Sequence, residues 1–566
     1  MRELPTILKC VFSFSGSSLS LPITPPPIQC VFSAFSLTRR PSAMASFPKQ
    51  RALWASLSRR ALISRPLVTS SIQGQMAVPL EDELRSAKPL SEMPGPKAYP
   101  VIGSFPDMFK QFDPKAYHKY YLGACAKYGS TFRMVVPGFG PMVLTTKPDD
   151  CEKLLRITMH NPLRLPMASL KAVRDNAVED FFEKKGGILV ENGDEWWRVR
   201  SRVQTPMMKP KVVGTYLQQM DQVSVEFMDR IAEMQAEHGE MPSNFQFELY
   251  KWALESVGLV ALNRRLGCLN PSIHEDSDAL RLIEIVNDIF QALNDTETSL
   301  GLWKLFPIKP YKKLKERHEQ FLDIAVRSIQ QTEASILAQD PDIDHEVSLM
   351  ESLLMTEGLT KKDVVTLILD MLFAGIDTTS HTLGFTLYQL ARNPEIQAKL
   401  QEEVDTVLGD HEGPLLPKHM AQFSYMKGVI KETLRIFPLT LGVGRTVDKD
   451  CVLSGYAIPK GTVILALSMV SAWDEKYFPR AKEFIPDRWL RGRPLGPIHP
   501  YASLPFGAGT RMCIGRRIAE QEMYTFLART MQRYSVDYKY KDVDILTRLV
   551  FVPSEPLRFS FTERRR

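Results

Sequence analysis

A chain of 566 residues, 44% hydrophobic and 24% charged, holds enough apolar sequence for a large core and has neither a low-complexity nor a collagen-like composition. Its seven cysteines, Cys10, Cys30, Cys125, Cys151, Cys268, Cys451 and Cys513, form no C-x-x-C and no paired spacing, which argues against a disulfide framework. The net charge of +6 is uneven: residues 1–80 set nine basic side chains against Glu3, a balance of +8, so the remainder carries −2 and gives no reason to expect nucleic-acid binding.

That leader is acid-free from Leu4 to Leu80, rich in serine, and basic at Arg2, Lys9, Arg39, Arg40, Lys49, Arg51, Arg59, Arg60 and Arg65. Such a composition is the mark of a mitochondrial transit peptide. Phe47 to Arg65 supplies its amphipathic segment, with Leu53, Trp54, Leu57 and Ala61 on one stripe, and Met44 is an alternative start. The rival is an endoplasmic-reticulum anchor in Cys10–Thr38. Four prolines and many serines interrupt that run, whereas a spanning helix needs about 20 mostly apolar residues. No Gly/Ser linker or repeat divides the rest, so the expected organisation is a leader over 1–80, a linker over 81–93 and one domain over 94–566, entered at Pro94-Gly-Pro96.

Helical periodicity dominates that domain, in Val212–Ala236, Phe247–Leu266, Leu280–Asn294 and His318–Ala338. Strand-like pieces are short: Thr131–Val136, Pro141–Thr145, Val463–Leu467 and Leu557–Phe561. The fold class is therefore mainly α with a smaller β portion. In Trp196-Trp-Arg-Val-Arg200 only Trp196 has an arginine four residues on, one helical turn away. Leu302 to Lys313 mixes aromatics with lysines, which suits either a contact with a membrane surface or a polar loop with aromatic anchors.

From Thr360 to Arg392 one long apolar helix is expected, capped by Thr360-Lys-Lys-Asp363 and ended by Asn393-Pro394. At about 1.5 Å per residue it crosses the whole domain. Gly375 in its interior, and Thr378 with a hydroxyl able to return to the Ala374 carbonyl, predict a bulge or opening there. Asp377 and Thr378 form an acid and alcohol pair suited to relaying protons. Downstream, Lys427 and Lys431 share one helical face directly ahead of Glu432-Thr-Leu-Arg435, an i,i+3 pair that alone is worth a few tenths of a kcal/mol. Gly444-Arg445 and Phe484-Ile-Pro-Asp-Arg-Trp489 follow.

The run Phe506-Gly-Ala-Gly-Thr-Arg-Met-Cys-Ile-Gly515 limits the chemistry most tightly. A lone cysteine cannot complete a zinc site, but it can be one axial ligand to a haem iron. A bound thiolate needs hydrogen-bond donors and positive charge nearby. Gly507, Gly509 and Gly515 allow φ > 0 and a close backbone approach, a helix expected over Ile514–Arg529 puts its positive end at Cys513, and Arg511 offers a planar fork to a propionate. Phe506 is placed to keep water off the sulfur.

F-G-x-G-x-R-x-C-x-G resembles the haem-binding loop of the cytochrome P-450 monooxygenases. The resemblance implies that family's fold, with haem b between the long central helix and the cysteine-loop helix, Cys513 as the metal ligand, and Trp196, Arg200, Arg445, Arg511, Phe506, Gly507 and Gly515 around the cofactor. It makes Asp377 and Thr378 the catalytic pair and Glu432, Arg435 and Arg488 a locking network, with Asp487 where the family more often has Glu or His. Phe373, Ala374, Leu441, Val443 and Val550 would line a channel for a lipophilic substrate, sterol-like or xenobiotic. Lys427, Lys431, Arg516 and Arg517 resemble the mitochondrial branch's docking patch for a small acidic [2Fe–2S] ferredoxin of the adrenodoxin type, itself served by an NADPH reductase, on the matrix side of the inner membrane. Lys251-Trp-Ala-Leu-Glu-Ser256 and Arg265-Leu-Gly-Cys268 look like invertebrate members of that branch. Two other activities stay open at this point, a haem-thiolate isomerase or dehydratase acting on lipid peroxides, and a non-catalytic haem protein. Intact Asp377-Thr378 argues against the first, and an idle proton relay against the second.

Overall fold

Thr360 caps the longest helix as its sequence predicts: its hydroxyl accepts from the Asp363 amide and the Asp363 carboxylate takes the Thr360 amide, a reciprocal cap that fixes the start of Lys361–Arg392. This computed structural model describes residues 80–564 except 101, 110–111, 137–139, 165–166, 239–240, 300, 339–346, 410 and 412, and the expected transit peptide lies outside the described residues. The central helix is long and apolar enough to cross a membrane, yet 83% of its most apolar window is buried inside the protein. It is a core helix, packed against Phe245–Leu262, Asp278–Glu297, Ser424–Ile436 and Arg516–Arg533.

Helices make up most of the fold and the strands gather in small sheets. The largest runs in the order Thr131–Val136, Gly140–Thr145, Val463–Ala466, Val443–Thr446, with its middle pair parallel and its outer pairs antiparallel. Arg445 stands on the edge strand opposite Ile464. A hairpin, Ile545–Arg548 and Val550–Pro553, turns at Leu549 with φ of 54°. Residues 81–93, expected as a linker, instead carry a helix, Leu80–Ser86, and a short strand pairing Lys88 and Pro89 with Tyr456 and Ala457. The apolar stretch 212–236 is two helices, Pro210–Thr215 and Leu217–His238, broken at Tyr216.

No bulge interrupts the central helix at Ala374–Thr379, although Thr378 Oγ1 does donate to the Ala374 carbonyl at 2.8 Å. Gly375 answers a different need, the close approach of Phe245–Leu262. A Cβ at 375 would lie 2.8 Å from Val257 Cγ2. Gly375→Ala is therefore expected to lower stability by about 1–3 kcal/mol through overpacking, read as a drop in the thermal midpoint. An unchanged midpoint would mean that the two helices part without strain.

Candidate functional site

The cysteine loop is folded on itself before the last long helix begins. The Cys513 amide donates to the Phe506 carbonyl at 2.9 Å, and Gly507 and Gly509 adopt φ of 66° and 76°, the left-handed region their missing Cβ permits. Gly515 does not: its φ is −81°, and it caps the helix Arg516–Arg533. Cys513 thus precedes the helix rather than opening it, but the Gly515 and Arg516 amides still reach its sulfur. Burial pushes the Cys513 thiol up, while those amides and the Arg200 and Arg516 guanidinium groups pull it the other way. Cys513 is the one exposed cysteine among the described residues because it lines a large internal cavity, and protein packed around it still makes its charge costly.

That cavity, about 570 Å³, also takes in Trp196, Arg200, Arg445, Phe506, Gly507, Arg511 and Gly515. Trp196 is buried on the helix Gly193–Met208 and Trp197 is exposed, as the spacing to Arg200 predicts. The Arg511 and Arg200 guanidinium groups stand 4.6 Å and 6.0 Å from the Trp196 ring, and Arg200 donates to the Met512 carbonyl at 2.8 Å. Sequence reasoning missed Arg164, which lines the same wall. Its amide donates to Asn192 Oδ1 at 3.1 Å, the oxygen that also accepts from Arg511 at 2.6 Å. Nothing in the local sequence around Arg164 marks it, because the contact is made by a loop returning from elsewhere.

Four guanidinium groups on one wall are an unbalanced charge. Burial first, and then their mutual repulsion, lower Arg200 and Arg445 to about 10 and Arg511 to about 8. The Nε atoms of Arg200, Arg445 and Arg511 have no hydrogen-bond partner. A dianionic group is what such a wall accepts, and the two propionates of haem b match it in charge and fork geometry.

Around the rest of the cavity three expectations are corrected. Ala374, Thr378, Val443 and Val550 line the cavity. Phe373 does not: a helix turns about 100° per residue, which sends its ring into the core against Phe290 at 4.7 Å and Phe321 at 6.2 Å. Leu441 also turns into the core, while its neighbours Thr440 and Gly442 face the cavity. The same rotation parts the acid from the alcohol. Asp377, fully buried, pairs with Arg548 at the hairpin tip, and His381 Nδ1 lies 3.5 Å from its other oxygen. Arg548 also donates to Asn287 Oδ1 at 2.6 Å, and Tyr250 contacts both Arg548 and His381. Thr378 alone of the pair meets the cavity.

Glu432 is the centre of a closed network. Arg435 reaches both its oxygens at 2.8 and 2.9 Å, Arg488 donates at 2.9 Å, and Trp489 Nε1, which the sequence did not single out, donates at 2.8 Å. On the surface side, Lys431 and Arg517 are exposed, and Lys431 feels Arg516 and Arg493 as neighbouring charges. Lys427 is less free, its ammonium donating to the Met420 and Ala421 carbonyls. Arg516 pairs with Glu520 at 2.8 Å and stands over the Phe506 ring.

A mainly helical fold with a cysteine loop and an arginine wall around one large cavity defines a haem-thiolate protein. Residues 93–561 match the family model described as Cytochrome P450, and the chain belongs to that family: it is a P450 monooxygenase, whose cofactor is haem b held by a cysteine thiolate. It is similar to "Probable cytochrome P450 49a1" of Drosophila melanogaster, 34% identical with 85% of this chain and 84% of that protein aligned. "Probable cytochrome P450 301a1, mitochondrial" of the same fly is 32% identical over 85% and 88% of the two chains, and "Cytochrome P450 CYP12A2" of Musca domestica 34% over 85% and 92%.

Proposed function

We propose that this monooxygenase works in mitochondria, on the matrix face of the inner membrane, inserting one oxygen atom of O2 into a lipophilic, sterol-like or xenobiotic substrate. Electrons come from NADPH through a ferredoxin reductase and a [2Fe–2S] ferredoxin. The observation that carries the reading is one cavity in which a lone cysteine, a wall of arginines and a helix threonine meet among mostly apolar side chains. An acid-free leader and relatives named mitochondrial support the location. The exposed Leu305 and Phe306, beside Trp303 stacked on Tyr311, give an apolar edge for a membrane surface.

Bound haem b supplies the iron that activates dioxygen. Cys513 holds it through the sulfur, with the Gly515 and Arg516 amides balancing the thiolate charge. Arg164, Arg200, Arg445 and Arg511 hold the propionates, and Trp196 packs beneath two of those guanidinium groups. Thr378 presents its hydroxyl oxygen to the cavity, where it can accept and pass on a proton. Asp377, fully buried and paired with Arg548, faces away from the cavity, where it anchors the hairpin tip to the central helix. Apolar walls from Val443, Leu465 and Val550 exclude water and orient the substrate.

Reconstitution tests both partner and patch. With a mitochondrial-type ferredoxin, its reductase and NADPH, and a panel of sterols and lipophilic xenobiotics, product is expected. Lys431→Gln should raise the apparent KM for ferredoxin several-fold at low salt, leaving the substrate-induced spin-state shift unchanged. Lys427→Gln should do less, since its ammonium already caps two carbonyls. Turnover with a microsomal-type flavoprotein reductase but not with ferredoxin would overturn the reading.

A further inference from the structure

Glu522 breaks the pattern of the helix that carries it. Gly515, Ile518, Ala519, Glu522 and Met523 follow one another at helical spacing along the face that lines the cavity, and every other position on that stripe is small or apolar. Glu522 is 2% exposed and its Oε1 has no hydrogen-bond partner. A buried acid with an unpartnered oxygen costs stability, and groups held at such a cost cluster at functional sites.

No neighbouring charge explains it either. On the elements packed against this helix, Asp221 is held by Arg529, Glu403 by the Tyr425 and Met426 amides, Asp405 by Arg564 and Glu432 by Arg435 and Arg488. On the helix itself Glu520 is held by Arg516 and Arg517. Across the cavity, Asp370 is held by Arg174, and Arg200 faces the propionate wall. Burial alone pushes the Glu522 carboxyl up, to about 8.

We propose that Glu522 is a proton-binding site coupled to the one-electron reduction of the haem iron: under conditions where the oxidised protein holds it ionised, it takes up one proton from solvent when the electron arrives from ferredoxin, and returns it when the electron leaves. The proposal rests on Cys513 holding haem in this cavity. One electron enters the cofactor and one proton binds a carboxylate oxygen, so charge in a space with little screening water is conserved. The sign follows. While Glu522 is protonated in both oxidation states, the midpoint potential is flat with pH. Once the oxidised state has lost the proton, reduction draws it back and the potential falls with rising pH.

The expected break is near pH 8, above which the slope approaches about 59 mV per pH unit, a tenfold change per unit for one electron. Spectroelectrochemical titration of the haem-loaded full chain from pH 6 to 10 measures it. Glu522→Gln keeps the shape and removes the titration, so its line should be flat over the range where the wild type bends. Equal slopes in the two proteins, or a flat wild type, would overturn the proposal. If Glu522→Gln loads no haem, the wild-type redox-difference infrared spectrum decides: a protonated-carboxyl stretch that grows on reduction supports the site, and its absence removes it. A failure of the haem assignment would look different, as loss of the thiolate-type Soret band in the reduced, carbon-monoxide-bound protein.

Discussion

Cys513→Ala is expected to abolish the thiolate-type Soret band of the reduced, carbon-monoxide-bound protein and to lower monooxygenase turnover at least a hundred-fold. Cys513 is the only described cysteine on the cavity, and Cys151, Cys268 and Cys451 are buried elsewhere in the core. No other described side chain there offers a soft sulfur anion with backbone amides already aimed at it. Thiolate donation is what favours O–O cleavage in this class, so a hundred-fold loss, about 2.7 kcal/mol of barrier, is a lower bound. Haem can still enter the variant, because the arginine wall that receives the propionates is untouched. Absorption spectra and haem-to-protein ratios separate the two effects: haem retained with a changed Soret band identifies the ligand. A Soret band of the original type in Cys513→Ala would place the thiolate outside this loop.

Much of this geometry is legible in the chain before any coordinates, and the failures share a cause. The central helix announces itself through its capping box, its unbroken apolar run and Asn393-Pro394, and Thr131–Val136 through its β-branched and aromatic residues. Trp196 and Arg200, one turn apart, could be placed on one face by counting. Phe373 and Ala374, or Asp377 and Thr378, lie about 100° apart around the helix, and only packing decides that Ala374 and Thr378 line the cavity while Phe373 and Asp377 turn into the core. What no local pattern carries is the partner from a distant segment. Arg548 meets Asp377 from 171 residues away and Arg511 meets Asn192 from 319, and such pairings exist only once the chain has packed. Glu522 is the opposite case. Its anomaly, an acid on an apolar stripe, is visible in the sequence, but it acquires meaning only when the stripe is found to face the cofactor cavity.

Burial also rescales energies that sequence alone puts too low. As an i,i+3 pair, Glu432 and Arg435 look like a surface contact worth a few tenths of a kcal/mol. In the folded chain both are fully buried and Arg488 is 1% exposed, so the Glu432 carboxylate neutralises two guanidinium groups that have no water. All five Arg435 donors are used, the other three on the Ala472, Ala481 and Glu483 carbonyls; Arg488 also donates to the Pro479 and Arg480 carbonyls, and the Ile485 amide donates to Glu432. The network ties the helix Ser424–Ile436 to the segment that leads into the cysteine loop. Glu432→Gln keeps the volume but strands two buried cations, a change that costs about 3–5 kcal/mol and takes a large share of the roughly 5–15 kcal/mol by which a protein of this kind is stable. The expected result is a chain that loads little haem and unfolds at markedly lower denaturant. Arg480→Ala, which breaks an exposed i,i+3 pair with Glu483, should leave the midpoint where it was. If Glu432→Gln unfolded no earlier than Arg480→Ala, the network would be an ornament of the fold rather than the clamp that holds the loop bearing Cys513.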